Sequence, residues 1–399
     1  MNMMAGRNQF EPRQRALRVT MLGIRGFPDV QGGAEKHVEK LSCALTTLGC
    51  EVDAIVRSCY VDKSRKNWRG IALTPLWAPR ISGLEAFAHS LLGVLRAAIE
   101  RPDILHIHSI GPALFTPLAR ALGLRVIVTH HVLNYENDKW GTLARGILRF
   151  GESVGMKFAN GRIAVSVGRA NEMTRTYGVS VNAIPNGIDK PRVIETTGTL
   201  AAFGLASGRY ALNVARIDEQ KRQLDLVAAY ARLKSPSWRL ALVGGADYSS
   251  GYATAVADAA RQTPGFVMLG HQSGDALAEL YSHAGVFVLP SSHEGQPIAV
   301  LEAASYGLSL ILSDIAAHRE LALPGARLIA VGDVAALAHE LDAFFAAAEP
   351  QRMAARERDR MMAKHDWLNI AQQTLAVYCE TLSNEGVAAV PAARIRELS

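Results

Sequence analysis

Leu289-Pro-Ser-Ser-His-Glu294-Gly-Gln-Pro-Ile-Ala-Val-Leu-Glu302-Ala-Ala-Ser-Tyr-Gly307 is the stretch that decides the reading of this 399-residue chain. Val286–Leu289 is a short β-branched apolar run, as expected of a buried parallel strand. An Ala-rich apolar segment follows Pro297, a residue suited to the first turn of a helix. The free amides of Gln296 and Ile298 would then point out of the helix start as an anion site, which Pro297, lacking an N–H, cannot join. Glu294 precedes that helix and Glu302 lies within it, in apolar surroundings. The first carboxylate is placed to hold sugar hydroxyls and the second a ribose diol.

Outward from this stretch, short apolar runs alternate with longer helical patterns, which predicts parallel sheets wrapped by helices. Predicted strands in the second half are Tyr210–Val214, Leu240–Val243, Phe266–Leu269, Val286–Leu289 and Leu308–Leu312. Those in the first half are Leu17–Leu22, Val52–Arg57, Ile104–Ile107, Val126–Thr129 and Arg162–Ser166, with helices over Ala34–Leu48, Leu84–Ile99 and Thr142–Phe158. The turn chemistry of Asn186-Gly187-Ile188-Asp189-Lys190-Pro191 divides the two series. The expectation is an α/β protein of two Rossmann-like, doubly wound domains, residues 1–190 and 191–366, linked near 186–205. A final amphipathic segment runs from about Trp367 to Leu382. Ligands of such sheets sit beyond the carboxyl ends of the strands, so the cleft between the domains is the expected site.

Three other segments fall at strand ends. In Gly23–Glu35, Gly32 and Gly33 allow close backbone approach and open a helix whose positive end favours an anion. The spacing is not the GxGxxG dinucleotide fingerprint, which counts against a hydride-transfer enzyme. In Val128–Trp140, His130 and His131 stand beside Lys139 and can offer a donor to a phosphate or a sugar hydroxyl. His106 and His108 end another strand. In Asn213–Lys221, Arg216 and Lys221 place a guanidinium and an ammonium within reach of a diphosphate. A plain glycine turn, structural histidines and a solvated helix start are the competing readings.

Composition narrows the classes. Residues 1–190 carry 25 Lys/Arg against 15 Asp/Glu, and residues 191–399 carry 18 against 22, so the net charge of +6 conceals a basic first half. A basic surface suits an anionic membrane or a phosphorylated acceptor. Nucleic acid is disfavoured, because neither an aromatic-rich RNA-binding signature nor zinc-finger spacing occurs. Four cysteines without CxxC spacing read as reduced thiols of a cytoplasmic protein. No apolar run is long enough for a signal peptide or a membrane span.

The segment Glu294 to Glu302 resembles the E-x7-E motif of retaining GT-B glycosyltransferases of family 4. The resemblance extends from Gly32-Gly33-Ala34-Glu35 through Ile184-Pro-Asn-Gly-Ile-Asp189, Arg216 with Lys221 and Val243-Gly244-Gly245 to His365-Asp366-Trp367. Thr-His-His and Lys-Trp-Gly segments are similar to those of bacterial exopolysaccharide and lipopolysaccharide enzymes.

The resemblance implies a nucleotide-sugar donor, with GDP-mannose a first guess, and no cofactor or metal; D-x-D spacing is absent. It implies that Arg216 and Lys221 grip the diphosphate, Glu294 contacts the transferred sugar and Glu302 holds the ribose. His131, or less so His130, would lie near sugar and acceptor. Gly270 and His271 would line the base pocket, and the last helix would cross back to the first domain. Departures are Gln296-Pro297, where relatives often carry an apolar residue, and Val132, where many carry Gly. The expected acceptor is a glycan or lipid-pyrophosphate-linked saccharide at the inner membrane face, with segment 141–158 as a possible contact. A sugar-nucleotide epimerase and an inactive binding partner are the rival functions.

Overall fold

The structure, a computed structural model, describes residues 15–81, 83–131, 141–233, 238–246, 250–346 and 352–384. Among them, the first sheet contains β1 Arg18–Leu22, β2 Glu51–Arg57, β3 Asn67–Trp68, β4 Ile71–Leu76, β5 Ile104–His108, β6 Val126–His130, β7 Gly161–Ala164 and β8 Asn182–Ala183. Its order is β3-β4-β2-β1-β5-β6-β7-β8, and only β3 runs antiparallel to its neighbour. The second sheet contains β9 Tyr210–Val214, β10 Arg239–Val243, β11 Phe266–Gly270, β12 Val286–Leu289, β13 Ser309–Ser313 and β14 Arg327–Ile329. Its order is β11-β10-β9-β12-β13-β14, parallel throughout.

Both sheets reverse direction beside their first strand, between β1 and β5 and between β9 and β12. Crevices at such reversals take the ligand. The central strands are buried on both faces, as in β5, β6 and β12. That burial is why they read as continuous apolar runs rather than alternating ones.

Helix Gly33–Thr47 covers one face of the first sheet together with helix Trp367–Asn384, and Val38, Leu41 and Leu45 share one core with Ile370, Ala371 and Tyr378. The C-terminal helix therefore crosses back onto the first domain. The two crossing strands of chain are pinned together: Ile188 N donates to His365 O at 2.7 Å, and His365 Nδ1 donates to Asn186 O at 2.7 Å. Helices Leu84–Glu100, Thr116–Ala121 and Thr142–Phe158 lie on the opposite face, over the core of Leu105, Ile107, Val126 and Val128.

Some expectations need correction. The edge strand β3 and its neighbour β4 were not foreseen, nor were the short β8 and β14. The expected linker contains a helix, Gly198–Ala202. Pro297 is not inside the first turn of its helix but precedes it as the cap, with extended backbone, because helix Ile298–Ser305 starts one residue later. Among the described residues no helix is long and apolar enough to cross a membrane.

Candidate functional site

A cleft of about 880 Å³ opens between the two sheets and takes residues from both. On the second-domain side its walls come from the two strands flanking the reversal. The loop after β9 carries Arg216 and Lys221, and the loop after β12 carries Glu294. These loops are fastened to each other: Asn213 Nδ2 donates to Val288 O at 2.7 Å, and Ser292 N donates to Gln220 O at 2.8 Å. Gln223 Nε2 holds the carbonyl of Arg216 at 2.7 Å. Arg216 and Lys221 are thus presented from a braced backbone.

Glu294 is buried against the ammonium of Lys221. Burial pushes its carboxyl pKa up, but Lys221 outweighs burial and holds it below the usual carboxylate range. Glu294 is therefore an anion. Helix Ile298–Ser305 begins without a side-chain cap, so the Ile298 amide is open to the cleft, and Glu302 lies one turn further in. Glu302 accepts from Tyr281 Oη at 3.2 Å and pairs with Lys36 of the first domain. Burial lowers the Lys36 pKa, but Glu302 outweighs it and keeps the ammonium charged.

The first-domain wall is the loop after β1. Gly32 caps helix Gly33–Thr47 in a backbone conformation, φ 152°, that L side chains rarely adopt, and no side chain caps the helix. A Cβ on Gly32 would sit 2.0 Å from Glu35 Oε2, whereas a Cβ on Gly33 would meet nothing within 4 Å. The helix start therefore lines the cleft without a capping side chain, the kind of end that favours an anion. Burial raises the Glu35 pKa, but Arg25 at 3.0 Å, helped by Arg216 across the cleft, keeps the carboxyl below its usual range. Gln31 Oε1 bridges to Gly245 N at 3.2 Å.

Under the cleft lies a cluster of imidazoles. His131 reaches the cleft, and its Nε2 is 3.2 Å from Nδ1 of the fully buried His108. His37 packs edge-on to His131 and donates from Nδ1 to Asn186 Oδ1 at 2.8 Å. His106 bonds Tyr378 Oη and Thr129 Oγ1, both at 2.6 Å. Burial lowers His37 to about 4 against the hydrogen bond to Asn186, and burial first, then repulsion from neighbouring imidazoles, lowers His106 to about 3 and His108 and His131 well below 6.5. His131 meets a ligand as a neutral group. Donor atoms of His37, His108 and His131 lie within 4.8 Å of one another, so among the described residues these are the ones placed to share a metal ion. Of the carboxylates lining the cleft, Glu294 and Glu302 are each matched by an ammonium group, Lys221 and Lys36.

The structure brings Gly32, Gly33, Arg216, Lys221, His131, His271, Ile298, Glu294 and Glu302 together on the cleft wall. Three expected residues do not reach it. His130 faces the opposite side of β6 from His131 and lies 3.3 Å from Glu152 of helix Thr142–Phe158, because successive strand residues alternate faces. His108 lies beneath His131. Gly270 ends β11, its carbonyl accepting from Gly244 N at 2.8 Å, and His271 to Gly274 form the wall instead. Lys139 lies outside the described residues. Sequence reasoning missed Lys36, His37 and the side-chain role of Gln296. Gln296 Oε1 accepts from Asn186 N while its carbonyl accepts from Asn186 Nδ2 at 2.8 Å, tying the domain crossing to the loop after β12.

Two facing Rossmann-like domains with an acidic and cationic cleft and a returning helix define a GT-B protein. Residues 31–192 match Glycosyltransferase Family 4, and residues 205–361 match Glycosyl transferases group 1. The chain is 31% identical over 392 residues to alpha-maltose-1-phosphate synthase of Mycobacterium tuberculosis, covering 91% of this chain and 99% of that one. It is 28% identical over 330 residues to the GDP-mannose:cellobiosyl-diphosphopolyprenol alpha-mannosyltransferase of Xanthomonas campestris, covering 78% and 81%. Its fold matches Anabaena Alr3699/HepE in complex with UDP-glucose, with a TM-score of 0.74 at 17% identity, over 92% of this chain and all of that one. The chain belongs to glycosyltransferase family 4. It is a retaining hexosyltransferase that uses a nucleotide-sugar.

Proposed function

We propose that this enzyme takes a hexose from a GDP- or UDP-hexose held on the second domain. It transfers the hexose to a lipid-diphosphate-linked saccharide or glycan entering from the first domain, during assembly of a bacterial surface polysaccharide. The observation that carries the reading is that Arg216, Lys221 and the uncapped helix start at Ile298 line one cleft with Glu294, which Lys221 pairs. Those groups face the leaving diphosphate, where fixed cations and amides stabilise developing charge. Glu294 orients the transferred hexose, Glu302 takes the ribose diol, and the open amides at Gly33 close on the phosphates from the first domain. His131, neutral, bonds a sugar or acceptor hydroxyl. The bond from the anomeric carbon to the diphosphate oxygen breaks as the acceptor oxygen attacks from the same face, and the acceptor proton passes to the departing phosphate oxygen. The donor's charge is met by Arg216 and Lys221, so no metal is needed.

The acceptor class is supported by the polyprenol-linked substrate in the name of the Xanthomonas relative, and with such an acceptor the enzyme would work at the cytoplasmic face of the inner membrane. A second reading, transfer to a soluble phosphosugar, is favoured by the likeness to alpha-maltose-1-phosphate synthase. The test is incubation with GDP-mannose or UDP-glucose in EDTA, with a polyprenol-diphosphate disaccharide or glucose 1-phosphate, followed by proton NMR of the product. An α-linked product on the lipid acceptor supports the proposal, and one on the phosphosugar supports the second reading. Donor isomerisation without transfer would indicate the epimerase, and an unchanged donor the binding partner.

A further inference from the structure

Helix Leu84–Glu100 is inside out for a surface helix. Its sheet-facing side is Glu85, His89, Ser90, Gly93, Val94 and Ala97. Its solvent side is Leu84, Phe87, Leu92, Leu95 and Ile99, all exposed, Ile99 to 79%. Steps of three to five residues put these on one broad stripe, where polar side chains ordinarily sit. The orientation is locked. Glu85 pairs with Arg57 at 2.6 Å, and a Cβ on Gly93 would meet Leu22 Cδ1 at 2.4 Å, so the glycine lets the helix seat closely on β1 this way round.

Helix Thr142–Phe158 repeats the arrangement. Gly151 and Gly155 lie against Ile110 and Ala113, and Glu152 is buried, accepting from Tyr177 Oη at 2.6 Å. Outward stand Leu143, Ile147, Phe150 and Phe158, with Leu143 exposed to 80% and Phe150 to 61%. Both helices pack on the 3-10 turn Pro112–Phe115, so their stripes share one face of the domain. Trp77 and Ile81, also exposed, extend it along the chain leading into the first helix.

Arg80, Arg149 and Lys157 are exposed around the stripes, while the carboxylates of the two helices are turned away. Glu85 and Glu152 are buried, and Glu100 is paired with Arg96. A contiguous apolar face rimmed by cations is more than scattered surface leucines. In a symmetric dimer the same cations would confront one another, whereas an anionic bilayer complements them. The face also borders the cleft, since Gly83, Glu85 and Ala86 at the start of the first helix line the cleft.

We propose that the two-helix face of Leu84–Glu100 and Thr142–Phe158 is where the enzyme lies on an anionic lipid bilayer. Its apolar stripes enter the headgroup–acyl boundary and its cations meet lipid phosphates. The inference gains its purpose from the lipid-linked acceptor reading but is tested apart from it. Full-length protein is sedimented with vesicles of phosphatidylcholine alone or with 30% phosphatidylglycerol, at low and high salt, beside Leu95→Glu, Ile99→Glu and Phe150→Glu variants. The expected result is binding to the anionic vesicles, weakened by salt, and at least a tenfold loss of partitioning in each variant with unchanged melting and unchanged nucleotide-sugar binding. Wild-type protein that ignores anionic vesicles, or variants that bind as wild type, overturn the proposal. So does a wild-type dimer that the substitutions split without any vesicle binding. Because nucleotide-sugar binding is read separately, loss of the membrane surface and failure of the transfer reading are told apart.

Discussion

Replacing Lys221 with methionine strips Glu294 of the ammonium that keeps it ionised. The Glu294 side chain is only 8% exposed, so its carboxylate then stands in the second domain with burial opposing its charge. Breaking a buried pair by removing one partner costs about 3–5 kcal/mol. Lys221 is itself one-fifth exposed, which favours the lower end, about 3 kcal/mol. For a unit of this size, roughly 2–4 °C of melting temperature per kcal/mol gives a drop of about 6–12 °C at pH 7. The pH dependence has a definite sign. In the wild type the folded Glu294 pKa is depressed, so its contribution is present above the unfolded value and lost as pH falls through the folded one. In Lys221→Met the folded pKa rises above the unfolded value, and the variant recovers as pH falls toward 5. Circular-dichroism melts at pH 7 and pH 5 should therefore show the gap between the two proteins narrowing, and Lys221→Met/Glu294→Gln should regain most of the loss at pH 7. A variant within about 1 kcal/mol of wild type at pH 7, with no narrowing, would refute the reasoning.

The imidazole cluster predicts acid sensitivity. His37, His106, His108 and His131 have folded pKa values below the unfolded value of 6.5, so the unfolded chain takes up protons first. Stability should fall as pH drops from 6.5 toward 4, by up to about 1.4 kcal/mol per pH unit for each imidazole, and thermal melts across that range check it. Gly33→Val meets open space and should melt within about 2 °C of wild type, while costing at least about tenfold, or ~1.4 kcal/mol, in donor affinity by titration. Gly32→Ala should destabilise by about 1–3 kcal/mol in a denaturant melt, because its backbone and its contact with Glu35 both resist a side chain.

Much of this was legible because sites on doubly wound sheets sit where strands end. Tyr210–Val214 and Val286–Leu289 were read to the residue, and the cleft residues after them followed. Strand β4 escaped because it lies toward the sheet edge, only part-buried, and carries Pro75, which argues against a strand. Strands β8 and β14 are too short to show a period. Lys36 and His37 were hidden in the pattern of helix Gly33–Thr47, where one reads as solvated and the other as core. Their partners, Glu302 and Asn186, are 266 and 149 residues away. The adjacent His130 and His131 could not be separated until the strand's alternation was fixed. The exposed stripe of Leu84–Glu100 shows the same limit. Periodicity tells which residues share a face, not which face turns inward; here the buried Arg57–Glu85 pair and Gly93 against Leu22 mark the inward one.

The central claim is that the cleft binds a nucleoside-diphosphate sugar through Arg216 and Lys221 without a metal. Isothermal titration of UDP-glucose and GDP-mannose into the full-length enzyme in EDTA, beside Arg216→Ala, tests it most directly. The account predicts saturable one-site binding of one of them and at least a tenfold loss in the variant, since hydrogen bonds to charged groups are worth about 1.5–3 kcal/mol. Binding that appears only with added Mg²⁺ or Mn²⁺, or that Arg216→Ala leaves unchanged, would contradict it.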